Sequence, residues 1–255
     1  MPDPILLLDV GNARLKWAWL QDDTVEPGGT LLHGGRIDPA MPLPGDGRPV
    51  PRRIVATCVA GATMEGLVRA WMDRLYRRPV RFLSSPARGC GLINAYEQPD
   101  SLGSDRWAAM VAARHRYRGN LLVVDAGSAI TLDLVRADGR HEGGYILPGL
   151  GLMGDALQAG TELRVAMAHA AADSDTSPGT STASCIRHGI LRATCSLVET
   201  VFHELENKAG ETVQCVMTGG DHSILAAALP IPCQREPALV LEGLARMVRS
   251  EEAGR

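Results

Sequence analysis

The chain begins with an apolar run that ends in a carboxylate and a glycine: "ILLLDVGNARLKWAW". After Asp9 and Gly11 the pattern changes. Leu15, Trp17 and Trp19 alternate with Arg14, Lys16 and Ala18, the period of a half-buried strand. Half-way along, "LLVVDAGSAITLDLV" restarts the same pattern, and aligning Asp9 with Asp125 puts Gly11 on Gly127, an offset of 116 residues. Between the copies, "RIVATCVAG" reads as a buried strand. Met64, Leu67, Val68, Trp71 and Leu75 follow at helical spacing, then "VRFLS" as a strand. "GSDRWAAMVAARHRYRG" predicts a helix closed by Gly119. After the second copy, "GRHEGGYIL" predicts the third strand of a meander and "LGLMGDALQAG" a helix. "ADSDTSPGTSTAS" reads as a loop. One long helix is expected over 182–208, with an apolar stripe at Ile186, Ile190, Leu197 and Val201. "TVQCVMTGGD" predicts a strand into a turn, "SILAAAL" a short helix, and "ALVLEGLARMVRSEE" a terminal helix.

Each half thus holds a β-hairpin or meander followed by helices alternating with strands. The expected fold class is α/β, as two duplicated domains, 1–118 and 119–255. A length of 255 residues, 45% hydrophobic and 22% charged, suits a globular protein with a filled core. Aromatics are only 4%, so that core rests on aliphatic side chains and methionine. The net charge of -3 argues against a strongly basic nucleic-acid binder. "MPDPILLLDVGN" lacks the basic region and cleavage site of a signal peptide. No apolar run approaches the ~20 residues of a membrane span. Six cysteines without a C-x-x-C pair read as thiols of a reducing compartment. A cytoplasmic protein without a structural metal is expected.

The D-x-G turns are the first candidates for chemistry. A carboxylate at the end of a buried strand faces the mouth of the sheet, and glycine lets backbone N–H groups approach phosphate. Asp9 could hold magnesium through water, Gly11 and Asn12 could cradle phosphate, and Lys16 could add positive charge. One such turn is equally a hairpin using Asp and Gly for geometry alone. Two, at the heads of similar halves, favour a phosphate-binding cleft.

"LGSDRW" puts Ser104 and Asp105 where a helix begins, which allows capping and a favourable charge on the dipole. Thr182 is placed to cap the long helix. Asp133 reads as a polar residue on an exposed strand face, and Tyr96 as a half-buried packing residue. "GLGLMG" (149–154) fits the G-x-G-x-x-G dinucleotide fingerprint, with Asp173 about 20 residues on. Pro148 before it and the absence of a following strand argue against that reading.

Taken together, "DVGNARLK" (9–16), "NAYEQPDSLGSDRW" (94–107), "DAGSAITLD" (125–133), "GGYILPG" (143–149), "TSTASCIRHGI" (180–190), "TGGD" (218–221) and "LVLEGLA" (239–245) resemble the type III pantothenate kinases. These belong to the sugar kinase, Hsp70 and actin superfamily, whose members bind ATP between two duplicated, actin-like (ribonuclease H-like) domains. The resemblance implies transfer of the γ-phosphate of ATP to the 4′-hydroxyl of pantothenate, the entry step to coenzyme A. It implies that Asp105 is the base that takes the hydroxyl proton. It places Tyr96, Gly103, Ser104, Asp105, Arg106 and Thr182 against pantothenate, Arg106 holding its carboxylate. It assigns ATP to Asp9, Val10, Gly11, Asn12, Ala13, Arg14, Leu15 and Lys16, with Ser128, Gly219 and Gly220. Asp125 would help bind a monovalent cation, potassium or ammonium, beside the magnesium at Asp9. A homodimer is implied, and the 182–208 helix could supply its interface.

Two positions depart from the family pattern. Ala13 stands where the first motif usually has threonine, removing a hydroxyl that could bind phosphate. Ser128 replaces threonine in the second but keeps the hydroxyl. A non-catalytic accessory or regulatory protein, or a kinase for another small hydroxylated substrate, are the competing readings. The pair Asp105 and Arg106 argues against the first of these, and Tyr96 with Thr182 against the second.

Overall fold

A computed structural model of the chain describes residues 4–38, 40–41, 43, 50–160, 174–209 and 212–253. In chain order the elements begin with β1 (Ile5–Val10), β2 (Arg14–Gln21), β3 (Thr24–Leu32), β4 (Arg53–Cys58), α1 (Gly61–Tyr76) and β5 (Val80–Phe82). A small ribbon of β6 (Arg88–Gly89) and β7 (Leu92–Ile93) precedes α2 (Ser104–Arg116). Then come β8 (Asn120–Ala126), β9 (Ala129–Val135), β10 (His141–Pro148), α3 (Leu150–Gly160) and α4 (Thr182–Ala209). The chain ends with β11 (Val213–Thr218), α5 (His222–Ala228), β12 (Cys233–Arg235) and α6 (Leu239–Ala253).

By contacts the chain divides into residues 1–112 with 238–255, and residues 113–237. A single cut at 118/119 leaves the last helix with the second half, whereas α6 returns to the first sheet and lies across β1 and β4. Its end is fixed there by charge. Glu251 receives two hydrogen bonds from Arg81, at 2.5 and 2.6 Å, and Glu252 one from Arg53 at 3.1 Å.

The first unit carries the sheet order β3-β2-β1-β4-β5, with β1 antiparallel to β2 and parallel to β4. Strand alternation splits β1 between two layers. Leu6, Leu8 and Val10 form one core with Met64, Val68, Trp71 and Met72 of α1. Ile5 and Leu7 are buried on the other face. Edge strand β3 holds Gly28 and Gly29 because the Trp17 indole lies against it. A Cβ on Gly28 would fall 2.1 Å from Trp17 Cδ1, and one on Gly29 2.6 Å from Cζ2.

The second unit repeats the connectivity as β10-β9-β8-β11-β12, again with the first hairpin antiparallel and β8 parallel to β11. The duplication extends to register. Asp9 is opposite Lys16 on one side and Thr57 on the other; Asp125 is opposite Thr131 and Thr218. Leu122, Val124 and Ala126 pack on α4 through Leu191, Cys195, Val198, Val201, Phe202 and Leu205.

Three local expectations change. Of the anticipated α4 stripe, Val201 is core and Leu197 packs against it, while Ile186 and Ile190 are only half-buried. Twenty-eight residues make a helix of about 42 Å, roughly twice the length of a seven-residue strand, so only its later turns cover the sheet. The helix is capped by Ser181 instead of Thr182. Ser181 Oγ accepts from the Ser184 N–H at 3.2 Å and the Ser181 N–H donates to Ser184 Oγ at 3.0 Å, a reciprocal capping box. Asp133 is 1% exposed, not on an open face, and hydrogen-bonds His141 Nε2 at 3.0 Å. His141 lies opposite Val135, two residues along β9 from Asp133, which puts the two side chains on one face.

No described helix is long and apolar enough to cross a membrane.

Candidate active site

The first D-x-G turn closes when the Gly11 N–H donates to the Arg14 carbonyl at 3.0 Å. Asn12 and Arg14 are exposed at its tip, Lys16 is partly exposed, and Val10 and Leu15 send their side chains into the core. Only the backbone of those last two can face a ligand. His33, which the sequence did not single out, buttresses the turn. Its Nδ1 accepts from the Gly35 N–H at 3.0 Å, so Nε2 carries the proton and donates to the Gly11 carbonyl at 2.9 Å. The Ala13 carbonyl accepts the His33 N–H at 3.0 Å.

Asp9, at the mouth of the sheet, accepts a hydrogen bond from Thr57 Oγ1 at 3.2 Å. Burial pushes its carboxyl up to about 6, nearby Asp105 adds to the rise, and Lys16 and the Thr57 hydroxyl oppose it. Cys58, beside Thr57, feels both aspartates, and burial above all raises its thiol. The two carboxylates of the sequence argument therefore belong to one electrostatic group.

Asp105 is set by the start of α2. The Gly103 carbonyl accepts the Trp107 N–H at 3.1 Å, so Gly103 takes the cap position and Ser104 is the buried first helical residue. A Cβ on Gly103 would fall 2.7 Å from Asp105 Oδ1, so a larger residue there would have to turn that carboxylate aside. That same oxygen accepts the Arg106 N–H at 2.7 Å. The guanidinium of Arg106, 6% exposed, donates to the Tyr96 hydroxyl at 3.0 Å and lies over its ring at 5.8 Å. Tyr96 is held in turn by Asn94, whose Oδ1 accepts the Tyr96 N–H at 3.0 Å while its Nδ2 donates to Pro86 and Pro99 carbonyls. Asp9 to Lys16, Tyr96 and Gly103 to Arg106 thus all fall in the first unit, together with Thr57.

In the second unit the D-x-G turn is one residue tighter: the Gly127 N–H donates to Ala129 at 2.9 Å. Two glycine turns pack on it. A Cβ on Gly149 would fall 2.3 Å from the Gly127 carbonyl oxygen, and the Gly149 N–H donates to Ser128 at 2.9 Å. Gly219, with φ +93°, would put a Cβ 2.3 Å from the Ala126 oxygen and 2.5 Å from Asp125 Oδ1. The Asp221 N–H closes the contact on Ala126 at 2.9 Å. Asp125, exposed Ser128, Gly219 and Gly220 are brought together in this way. Thr182 is exposed in the first turn of α4.

The G-x-G-x-x-G stretch belongs to this cradle. Gly149 follows β10, an antiparallel edge strand, so no βαβ unit exists there. Asp173 lies outside the described residues. Among the described residues no group of three or more His, Cys, Asp or Glu side chains could hold a metal.

Solved structures define the class of fold. The chain aligns over 97% of its length with a Baf family protein of Campylobacter jejuni at TM-score 0.61 and 21% identity, covering 99% of that chain. A protein of Sinorhizobium meliloti assigned as a 2-dehydro-3-deoxygalactonokinase aligns at TM-score 0.56 and 15% identity, covering 97% of this chain and 99% of that one. The likeness is one of fold, two α/β units that repeat the same sheet order. The family follows from sequence. The family model described as type III pantothenate kinase matches residues 5–204. A type III pantothenate kinase of Laribacter hongkongensis is 36% identical over 246 residues, 96% of this chain and 98% of that protein. One of Acidovorax ebreus is 35% identical over 249 residues, 94% of each. The chain belongs to the type III pantothenate kinase family.

Proposed function

We propose that the chain phosphorylates pantothenate at its 4′-hydroxyl with ATP, the first step of coenzyme A biosynthesis, and that Asp105 is the base. The observation that carries the assignment is the grouping of Asp105 with Asp9, Arg106 and Tyr96 at the start of α2. Phosphoryl transfer needs positioning and charge neutralisation more than covalent chemistry. One carboxylate near the attacking oxygen is sufficient as base. Arg106, whose guanidinium donates to the Tyr96 hydroxyl, is assigned to the pantothenate carboxylate, which its planar fork suits. Gly103 and Ser104 bring the backbone of the helix start to the same substrate, and Thr182 is assigned to it as well.

For ATP, the reading uses the first turn (Asp9 to Lys16) and the Gly219–Gly220 turn with Ser128. Kinases of this family use ATP with a divalent metal. The donor set fits magnesium held mainly by phosphate oxygens and water, with the Asp9 carboxylate beside it, since magnesium keeps several waters. Asp125 is assigned to a monovalent cation. A homodimer using the half-exposed early turns of α4 around Ile186 and Ile190 completes the proposal, with a cytoplasmic site of action in keeping with six free thiols.

A coupled assay of ADP release with pantothenate, magnesium and potassium tests the reading. Turnover that requires pantothenate is expected; its absence under both potassium and ammonium would overturn it.

A further inference from the structure

We infer that Thr57 is a positioning residue for the reaction, its buried hydroxyl fixing the Asp9 carboxylate in one orientation. The inference rests on the reading of Asp9 given above. Thr57 is 0% exposed, is the parallel-strand partner of Asp9, and donates from Oγ1 to Asp9 Oδ1 at 3.2 Å. A β-branched residue suits the task. Its χ1 is stiff on a strand, so the hydroxyl is aimed while the methyl fills the core. The duplicated half supports the assignment independently of any ligand. There, Thr218 is the parallel-strand partner of Asp125 and is 1% exposed. The fold has thus placed a buried threonine beside the strand-end aspartate twice.

The groups that act on Asp9 come from three elements. Lys16 of β2 is its antiparallel partner and favours the carboxylate; Asp105 of α2 disfavours it; Thr57 and Cys58 of β4 complete the ring. Loss of the hydroxyl would leave the carboxylate oxygen without the donor that aims it, free to turn about its own side-chain bonds, and would weaken its hold on a cation or a phosphate-bound water.

The test compares the full chain with Thr57→Val, which keeps the shape, and Thr57→Ser, which keeps the hydroxyl. ATP and pantothenate are varied separately at one pH, about 8, ATP binding is measured by calorimetry, and thermal melts confirm folding. In Thr57→Val, kcat/KM for ATP is expected to fall by about three- to ten-fold, as for one lost hydrogen bond, while the KM for pantothenate stays near the wild-type value. Thr57→Ser restores the parent value. A loss equal in both variants, or an equal rise in both KM values, would overturn the proposal and leave only packing. Absence of turnover in the parent chain would instead overturn the kinase reading. Calorimetry then decides: magnesium–ATP bound more weakly by Thr57→Val than by the parent and Thr57→Ser supports the contact, and equal affinities sink it.

Discussion

The backbone of α6 at Gly243 lies so close to α2 that a Cβ there would fall 1.8 Å from the carbonyl oxygen of Ala108. Backbone atoms cannot yield as a flexible side chain can. Gly243→Ala must therefore separate two helices of the first unit or distort one of them. We expect a loss of about 1–3 kcal/mol or more, read as a melting temperature lower by roughly 3–10 °C. An unchanged melt would mean that the helices slide apart freely.

Replacing Asp105 with asparagine preserves its size and removes its basicity. With phosphoryl transfer limited by proton removal, kcat is expected to fall by about 10²–10⁴. Affinity for ATP, measured by calorimetry, should change little. A variant with undiminished kcat would show that Asp105 is not the base.

Asp9 couples stability to function with opposite signs. Its folded-state carboxyl, at about 6, lies above the ordinary value of 3.8, so folding takes up protons between those limits. Stability contributed at this position therefore falls as pH rises from about 4 to 6, and the full cost is present above 6. Asp9→Asn removes that cost. Because the side chain is partly exposed, the gain at pH 7 is about 1–2 kcal/mol, less than the full shift implies. Melts should show the variant more stable at pH 7 and indistinguishable from the parent near pH 4, with turnover lost throughout. A less stable variant at neutral pH would contradict this balance.

His33 holds the first turn from behind without reaching its open side. His33→Ala removes the bond to the Gly11 carbonyl and leaves a cavity, so the turn loosens. The KM for ATP should rise by about three- to ten-fold, as expected for one hydrogen bond. The KM for pantothenate should hold. Equal rises in both would point to general unfolding.

Strand periodicity exposed the two hairpins, and the echo of Asp9 in Asp125 exposed the duplication, because both are local patterns. Thr57 was invisible in "RIVATC": its role exists only once β4 lies beside β1. Asp133 carried the wrong exposure for a related reason, since its partner His141 sits on the neighbouring strand β10. The three residues of β12 were too few to show a period. The return of α6 to the first sheet is a long-range event that no window of sequence records. Gly149, by contrast, stood in a quoted motif, but what makes glycine necessary there is the backbone of Gly127 and Ser128, brought against it by the fold.

The division of the chain has an optical consequence. All four tryptophans, Trp17, Trp19, Trp71 and Trp107, are buried in the first unit, and the second has none. Tryptophan emission is thus a private signal of one half of the molecule, while far-ultraviolet dichroism sums the helices and strands of both. Superimposable melting curves from the two spectroscopies would mark a single cooperative transition. Curves that part company would give the order in which the two copies of the old blueprint come undone.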